Sequence, residues 1–121
     1  MNRNIALAGA LCGALAVVLG AFGSHALRGV LDPAALQTWR TAVDYQFWHA
    51  LALLVAGCQP ASRWRTWSSV GFIGGIAAFC GSLYLLALGA PHAVGSITPV
   101  GGIALIGGWL ALAGAIWRTA R

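Results

Sequence analysis

The sequence contains no lysine and no glutamate, and its only acids are Asp32 and Asp44. Only 7% of its residues are charged, against about a quarter in soluble domains, which excludes an ordinary water-exposed globule. There is no basic patch and no aromatic-basic platform, so the net charge of +5 has no nucleic-acid footprint and no nucleic-acid partner is expected. Cysteine is scarce and odd in number. Cys12, Cys58 and Cys80 lie in or beside apolar runs without metal-ligand spacing, which argues against a disulfide framework and predicts free thiols. No low-complexity segment interrupts the chain, and no internal repeat is visible.

What remains is apolar. Of the 121 residues, 60% are hydrophobic, and they fall into four runs. A hydrocarbon core of about 30 Å takes about 20 helical residues, so the pattern predicts an all-α, integral membrane four-helix transmembrane bundle. It forms a single domain over residues 1–121, with helices at approximately 5–24, 36–57, 67–89 and 99–118. Arg3 before the first run and Ala21-Phe22-Gly23 after it have the outline of a signal peptide. Against cleavage stands a facing that signal sequences do not need: Gly9, Gly13 and Gly20 on one side, Leu7, Leu11, Leu15, Val18 and Phe22 on the other. Small residues at four-residue spacing let helix backbones approach in lipid. The same pattern recurs in the third run, at Gly71, Gly75 and Ser82, and in the fourth, at Gly101 and Gly108.

The second run, Leu36 to Gly57, is the unusual one. Asp32-Pro33 supplies an N-cap followed by a proline suited to the first helical position. Residues 33–40 either enter the membrane or lie along its interface. Thr38, Thr41, Tyr45, His49, Ala52 and Ala56 are expected on one small or polar face, with Leu36, Val43, Phe47, Leu51 and Leu54 opposite. Arg40 and Asp44, four apart, are placed to pair. Trp39, Trp64, Trp67 and Trp117 stand near span ends and read as interfacial anchors. With four spans, Arg3, Arg63, Arg65, Arg118 and Arg121 share one side, while Arg28 and Arg40 on the other are offset by Asp32 and Asp44. The positive-inside rule then puts both termini in the cytoplasm.

Four ordered motifs carry a resemblance. GAFGSHAL (Gly20 to Leu27), YQFWHALAL (Tyr45 to Leu53), CGSLYLLAL (Cys80 to Leu88) and TPVGG with a following Gly108-Trp109 make the chain similar to the YgdD-like family of small membrane proteins. This family is also called transmembrane protein 256 or domain of unknown function 423. The resemblance implies a four-helix protein of the bacterial inner membrane with no established biochemical activity.

Intramembrane polar groups are costly unless they face protein or water, and therefore mark candidate sites. The candidate polar site comprises His25, Asp44, Tyr45, Gln46, His49, Ser82 and Tyr84. The pair Tyr45 and His49 reads as a polar clamp hydrogen-bonded to a neighbouring helix in preference to part of a proton or solute path, because no ladder of titratable groups continues from it. His25 and His49 differ in depth by about 10 to 15 Å at 1.5 Å per residue, so no metal and no cofactor is expected. A Ser82–His49 nucleophile and base is disfavoured because serine on a glycine-rich membrane face is ordinarily a packing residue. The leading reading is a non-enzymatic membrane scaffold or accessory subunit, partnered by the lipid bilayer and by further copies or a larger complex. A proton, small-solute or lipid transporter is the alternative, and a membrane-embedded enzyme or metal or haem binder comes third.

Overall fold

The computed structural model describes residues 1–120; Arg121, counted above on the arginine-rich side, lies outside the described residues. The first three helices start where a side chain offers an acceptor to an otherwise unpaired backbone N–H. Asn2 caps α1 (Arg3–His25) by accepting from Ile5 N at 3.1 Å. Asp32 caps α2 (Pro33–Cys58) by accepting from Ala35 N at 2.7 Å, with Pro33 in the first turn, where a missing N–H costs nothing. Ser62 caps α3 (Arg63–Gly75) by accepting from Arg65 N at 3.1 Å. A π-helical turn, Ile76–Cys80, joins α3 to α4 (Gly81–Ala87) without a break. A 3-10 turn over His92–Ser96 replaces the expected open loop and leads into α5 (Ile97–Thr119), so Pro99 falls inside the first turn of that helix instead of opening it. Residues 33–40 are the first turns of one continuous α2, not a separate interfacial piece.

The chain is an all-α four-helix bundle in which α3, the π turn and α4 act as one helix. α1 packs almost wholly against α2, α2 runs beside the whole of α3–α4, and α5 covers the other side of α3–α4. Three stretches are long and apolar enough to cross a membrane, Arg3–His25, Arg63–Ala87 and His92–Thr119. α2 has the length, about 39 Å at 1.5 Å per residue, but Gln37, Arg40, Asp44 and His49 dilute its apolarity.

Because α2 lies between two neighbours, its buried surface is wider than one stripe: Trp39, Ala42, Gln46, His49, Ala50, Leu53, Ala56 and Gly57 are all buried. The expected division of this helix is corrected accordingly. Thr38, Thr41 and Tyr45 are only half-buried, whereas Val43 and Leu54, assigned to the lipid face, lie against Gly20 and Gly9 of α1. Several glycines let helix backbones approach closely. A β-carbon at Gly9 would lie 2.9 Å from Leu54 N, and one at Gly71 would lie 2.9 Å from Gly108 Cα. Gly75 faces Leu105, Gly101 abuts the backbone of Phe79 in the π turn, and Gly108 faces the Phe72 ring. Gly13 has more room, 3.8 Å from Ala50 Cβ. The main core gathers Ala52, Leu53 and Ala56 of α2, Phe72 of α3, and Leu105 and Leu112 of α5.

Candidate functional site

The polar stripe of α2 resolves into a staple, an aromatic box and an exposed edge. The staple is built on Gln46, 3% exposed. Its Nε2–H donates to the backbone carbonyl of Cys12 on α1 at 3.0 Å, and its Oε1 accepts from the hydroxyl of Tyr84 on α4 at 2.7 Å. One amide thus joins three helices through both of its polar ends, which removes the penalty of leaving either unpaired in a water-poor interior. Two helical turns earlier on α2, Trp39 repeats the device by donating from Nε1 to the carbonyl of Leu19 at 2.9 Å. Its ring stands edge-on to Tyr84, with centroids 4.7 Å apart. Gly23 gives it space, since a β-carbon there would lie 2.6 Å from the indole. Trp39 is therefore an interior staple, 4% exposed, and not the interfacial anchor expected from its position in the sequence. The seven-residue spacing of Trp39 and Gln46, two turns on one face, was the available signal for it.

His49 is buried, but its hydrogen bond corrects the clamp reading. Nδ1 bonds the carbonyl of Tyr45 in its own helix at 2.6 Å and not a group on a neighbour. A carbonyl only accepts, so Nδ1 carries the proton and Nε2 is directed among rings. Tyr45 stacks on one side at 5.8 Å, Phe72 of α3 lies at 6.0 Å and Trp109 of α5 presents an edge at 5.8 Å. Tyr45 itself packs on Phe79 of the π turn at 4.6 Å. These ring contacts join α2 to α3, to the π turn and to α5.

The remaining candidates lie elsewhere. Ser82 donates to the carbonyl of Phe79 at 2.9 Å, so Thr98 of α5 is the donor in the 2.5 Å contact between their hydroxyls. This pair ties the start of α5 to the end of the π turn. Ser82 and His49 each have their partners in different places, and the two do not form a dyad. His25 is exposed at the end of α1. Asp44 is exposed too, and the expected pairing with Arg40 does not form among the described residues, although both line a groove of about 320 Å³ between α1 and α2. The three cysteines are free. Among the described residues no group of three His, Cys, Asp or Glu side chains is close enough to hold a metal ion.

The arrangement can join helices; it shows neither a nucleophile held by a base nor a convergent ligand set. A family model described as a protein of unknown function, DUF423, matches residues 19–102. The inner membrane protein YgdD of Escherichia coli K12 is 40% identical over 119 residues, covering 95% of this chain and 91% of that protein. YwdK, a membrane protein of Bacillus subtilis, is 41% identical over 106 residues, covering 84% and 86%. A membrane protein of Staphylococcus haemolyticus is 41% identical over 109 residues, covering 86% and 87%. No solved structure matches the chain. With a bundle of apolar helices and relatives of this extent, the chain is a membrane protein and belongs to the DUF423 family.

Proposed function

We propose that this protein is a non-enzymatic membrane scaffold or accessory subunit, crossing the inner membrane four times with both termini in the cytoplasm. The observation that carries the reading is that Gln46, Trp39 and Ser82 use their polar groups to tie one helix to another, although the hydroxyl of buried Ser68 has no partner. Gln46 is bonded at both ends, Trp39 is bonded to α1, and Ser82 is bonded to Thr98 and Phe79. A conducting path needs titratable groups in succession through the bilayer, and α2 beyond His49 offers only Ala, Leu, Val and Gly as far as Cys58. Meanwhile α1 has one neighbour and leaves Leu7, Leu11, Leu15, Val18 and Phe22 outward, a surface available to lipid, to a second copy or to another membrane protein.

Native mass spectrometry of gently extracted protein tests this reading, with a stoichiometric protein partner or second copy expected. Transport is the second reading, favoured by the Nε2 of His49, which has no hydrogen-bond partner among the described residues. A solitary protein whose proteoliposomes pass protons, with the flux lost in His49→Gln but the fold retained, would replace the scaffold with a transporter.

A further inference from the structure

A groove lies at the arginine-rich end, away from the polar stripe. It has a volume of about 730 Å³ and runs between the start of α3 and the end of α5, with Ser62, Arg63, Trp64, Arg118 and Thr119 in its walls. The guanidinium of Arg63 sits over the Trp64 ring, 5.6 Å from the centroid. Trp64 packs on Gly114 of α5, and its Nε1–H is buried without an acceptor.

Local electrostatics account for some of the arginines here. Arg118 stands in the last turn of α5, where carbonyl ends favour a cation. Arg65 donates from Nη1 to the carbonyl of Gln59 at 3.0 Å and so finishes the end of α2. Arg63 complements no carbonyl end and lies over the Trp64 ring. It occupies the first turn of α3, where the helix dipole disfavours a cation and where there is no acidic residue. Asp32 and Asp44, the only acidic side chains of the sequence, belong to the N-terminal half of α2 and not to this groove. Arg63 and Arg118 therefore both line a groove that has no acidic side chain in its walls among the described residues. Trp67, one turn further along α3 from Arg63, and Ile116 near the end of α5 are exposed apolar side chains at the same end of these helices.

We propose that this groove binds the phosphate of an anionic phospholipid headgroup through Arg63 and Arg118, with the acyl chains lying along the apolar surface beyond. Arginine matches phosphate because its planar fork donates two parallel hydrogen bonds, and basic pockets between membrane helices suit such headgroups. The ligand is a lipid and not a free phosphate ion because the groove lies at the ends of two helices long and apolar enough to cross a membrane, on which Trp67 and Ile116 are exposed nearby in sequence.

The test titrates purified protein in neutral detergent with phosphatidylglycerol or with phosphatidylcholine and counts bound lipid by native mass spectrometry. Phosphatidylglycerol is expected to bind more tightly. An arginine near an anionic lipid contributes about fivefold, so Arg63→Gln with Arg118→Gln should weaken phosphatidylglycerol binding by about thirtyfold. Arg3→Gln, at the same end but outside the groove, should leave binding unchanged. Arg63→Lys with Arg118→Lys keeps the charge but loses the planar fork, so it should weaken binding less than the Gln pair does; equal loss in the two pairs would overturn the charge basis of the site. Equal affinity for the two lipids, or unaltered binding by the Gln pair, would also overturn the proposal. Displacement of phosphatidylglycerol by millimolar inorganic phosphate would assign the groove to a soluble anion and reject the lipid.

Discussion

Gln46 solves at one position the problem that an interior amide poses. A side chain with two donors and an acceptor is costly away from water unless both ends are bonded, and it finds those bonds on two different helices, at Cys12 O and Tyr84 Oη. Gln46→Leu should therefore destabilise the bundle by about 1 to 2 kcal/mol, and Tyr84→Phe by about 0.5 to 1 kcal/mol, the range of hydrogen bonds between membrane helices. Unfolding equilibria in mixed detergent for the two single variants and the double variant check this. The double should cost less than the sum because the two share one bond; simple additivity would show that the Tyr84–Gln46 bond contributes nothing. His49 behaves differently, since its neighbours are rings. His49→Phe should keep most of the stability, whereas His49→Ala opens space beside Phe72 and Trp109 and should cost about 2 kcal/mol or more. Full retention by His49→Ala would remove the aromatic box as a source of stability. At this scale the sequence named Gln46, Tyr84 and Ser82 as polar and intramembrane, but not their partners. The partners of Gln46 and Trp39 on α1 are main-chain carbonyls, and every residue has one of those. Periodicity also could not anticipate that His49 would bond its own helix.

Among the helices, close approach decides the packing, and not every glycine takes part. Gly101 lies against the backbone of Phe79 and Ala78, whereas Gly107, on the same helix, has nothing within 4 Å of where a β-carbon would stand. Gly101→Ala must push α5 away from the π turn, a rigid backbone that cannot yield as a side-chain tip does, and should cost about 1 to 3 kcal/mol. Gly107→Ala should be neutral or stabilising by up to about 1 kcal/mol, since alanine is the better helix former. Melting temperatures of the two variants in one detergent separate the cases, and equal shifts would contradict the contact. The four helices themselves were legible from the lengths and apolarity of their runs and from the Asp32-Pro33 start signal, but α3 begins at Arg63, capped by Ser62, and not at the expected residue 67. The π turn was not, because its cause is tertiary: Ile76–Cys80 has no distinguishing composition, and the turn sits where Gly101 presses on Phe79 and Ser82 takes up the Phe79 carbonyl. The breadth of the buried face of α2 was hidden for a related reason. A hydrophobic period reveals one packed side, and α2 has two.

Across the whole molecule, charge is distributed by end. Arg3, Arg63, Arg65 and Arg118 gather where α1 and α3 begin and where α2 and α5 finish, while both acids lie in the N-terminal half of α2. The backbone N–H of Asn2 donates to the carbonyl of Gly57 at 2.7 Å, so the start of the chain and the end of α2 share one level. If α2 crosses the membrane with the other helices, that level is cytoplasmic by the positive-inside rule. The turns around Gly29 and His92 are then periplasmic. The natural cysteines make the test direct. Cys58, exposed at the end of α2, should react with a membrane-impermeant maleimide only in inverted vesicles, while Cys12 and Cys80, half-buried and buried within their helices, should remain unlabelled from either side. In a Cys58→Ala background, His92→Cys should label only from the outside of intact spheroplasts. Labelling of Cys58 and His92→Cys from the same side would mean that the helices do not all cross, and labelling of Cys58 from outside would invert the molecule. Either result would override the arginine asymmetry as a guide to how this bundle sits in its membrane.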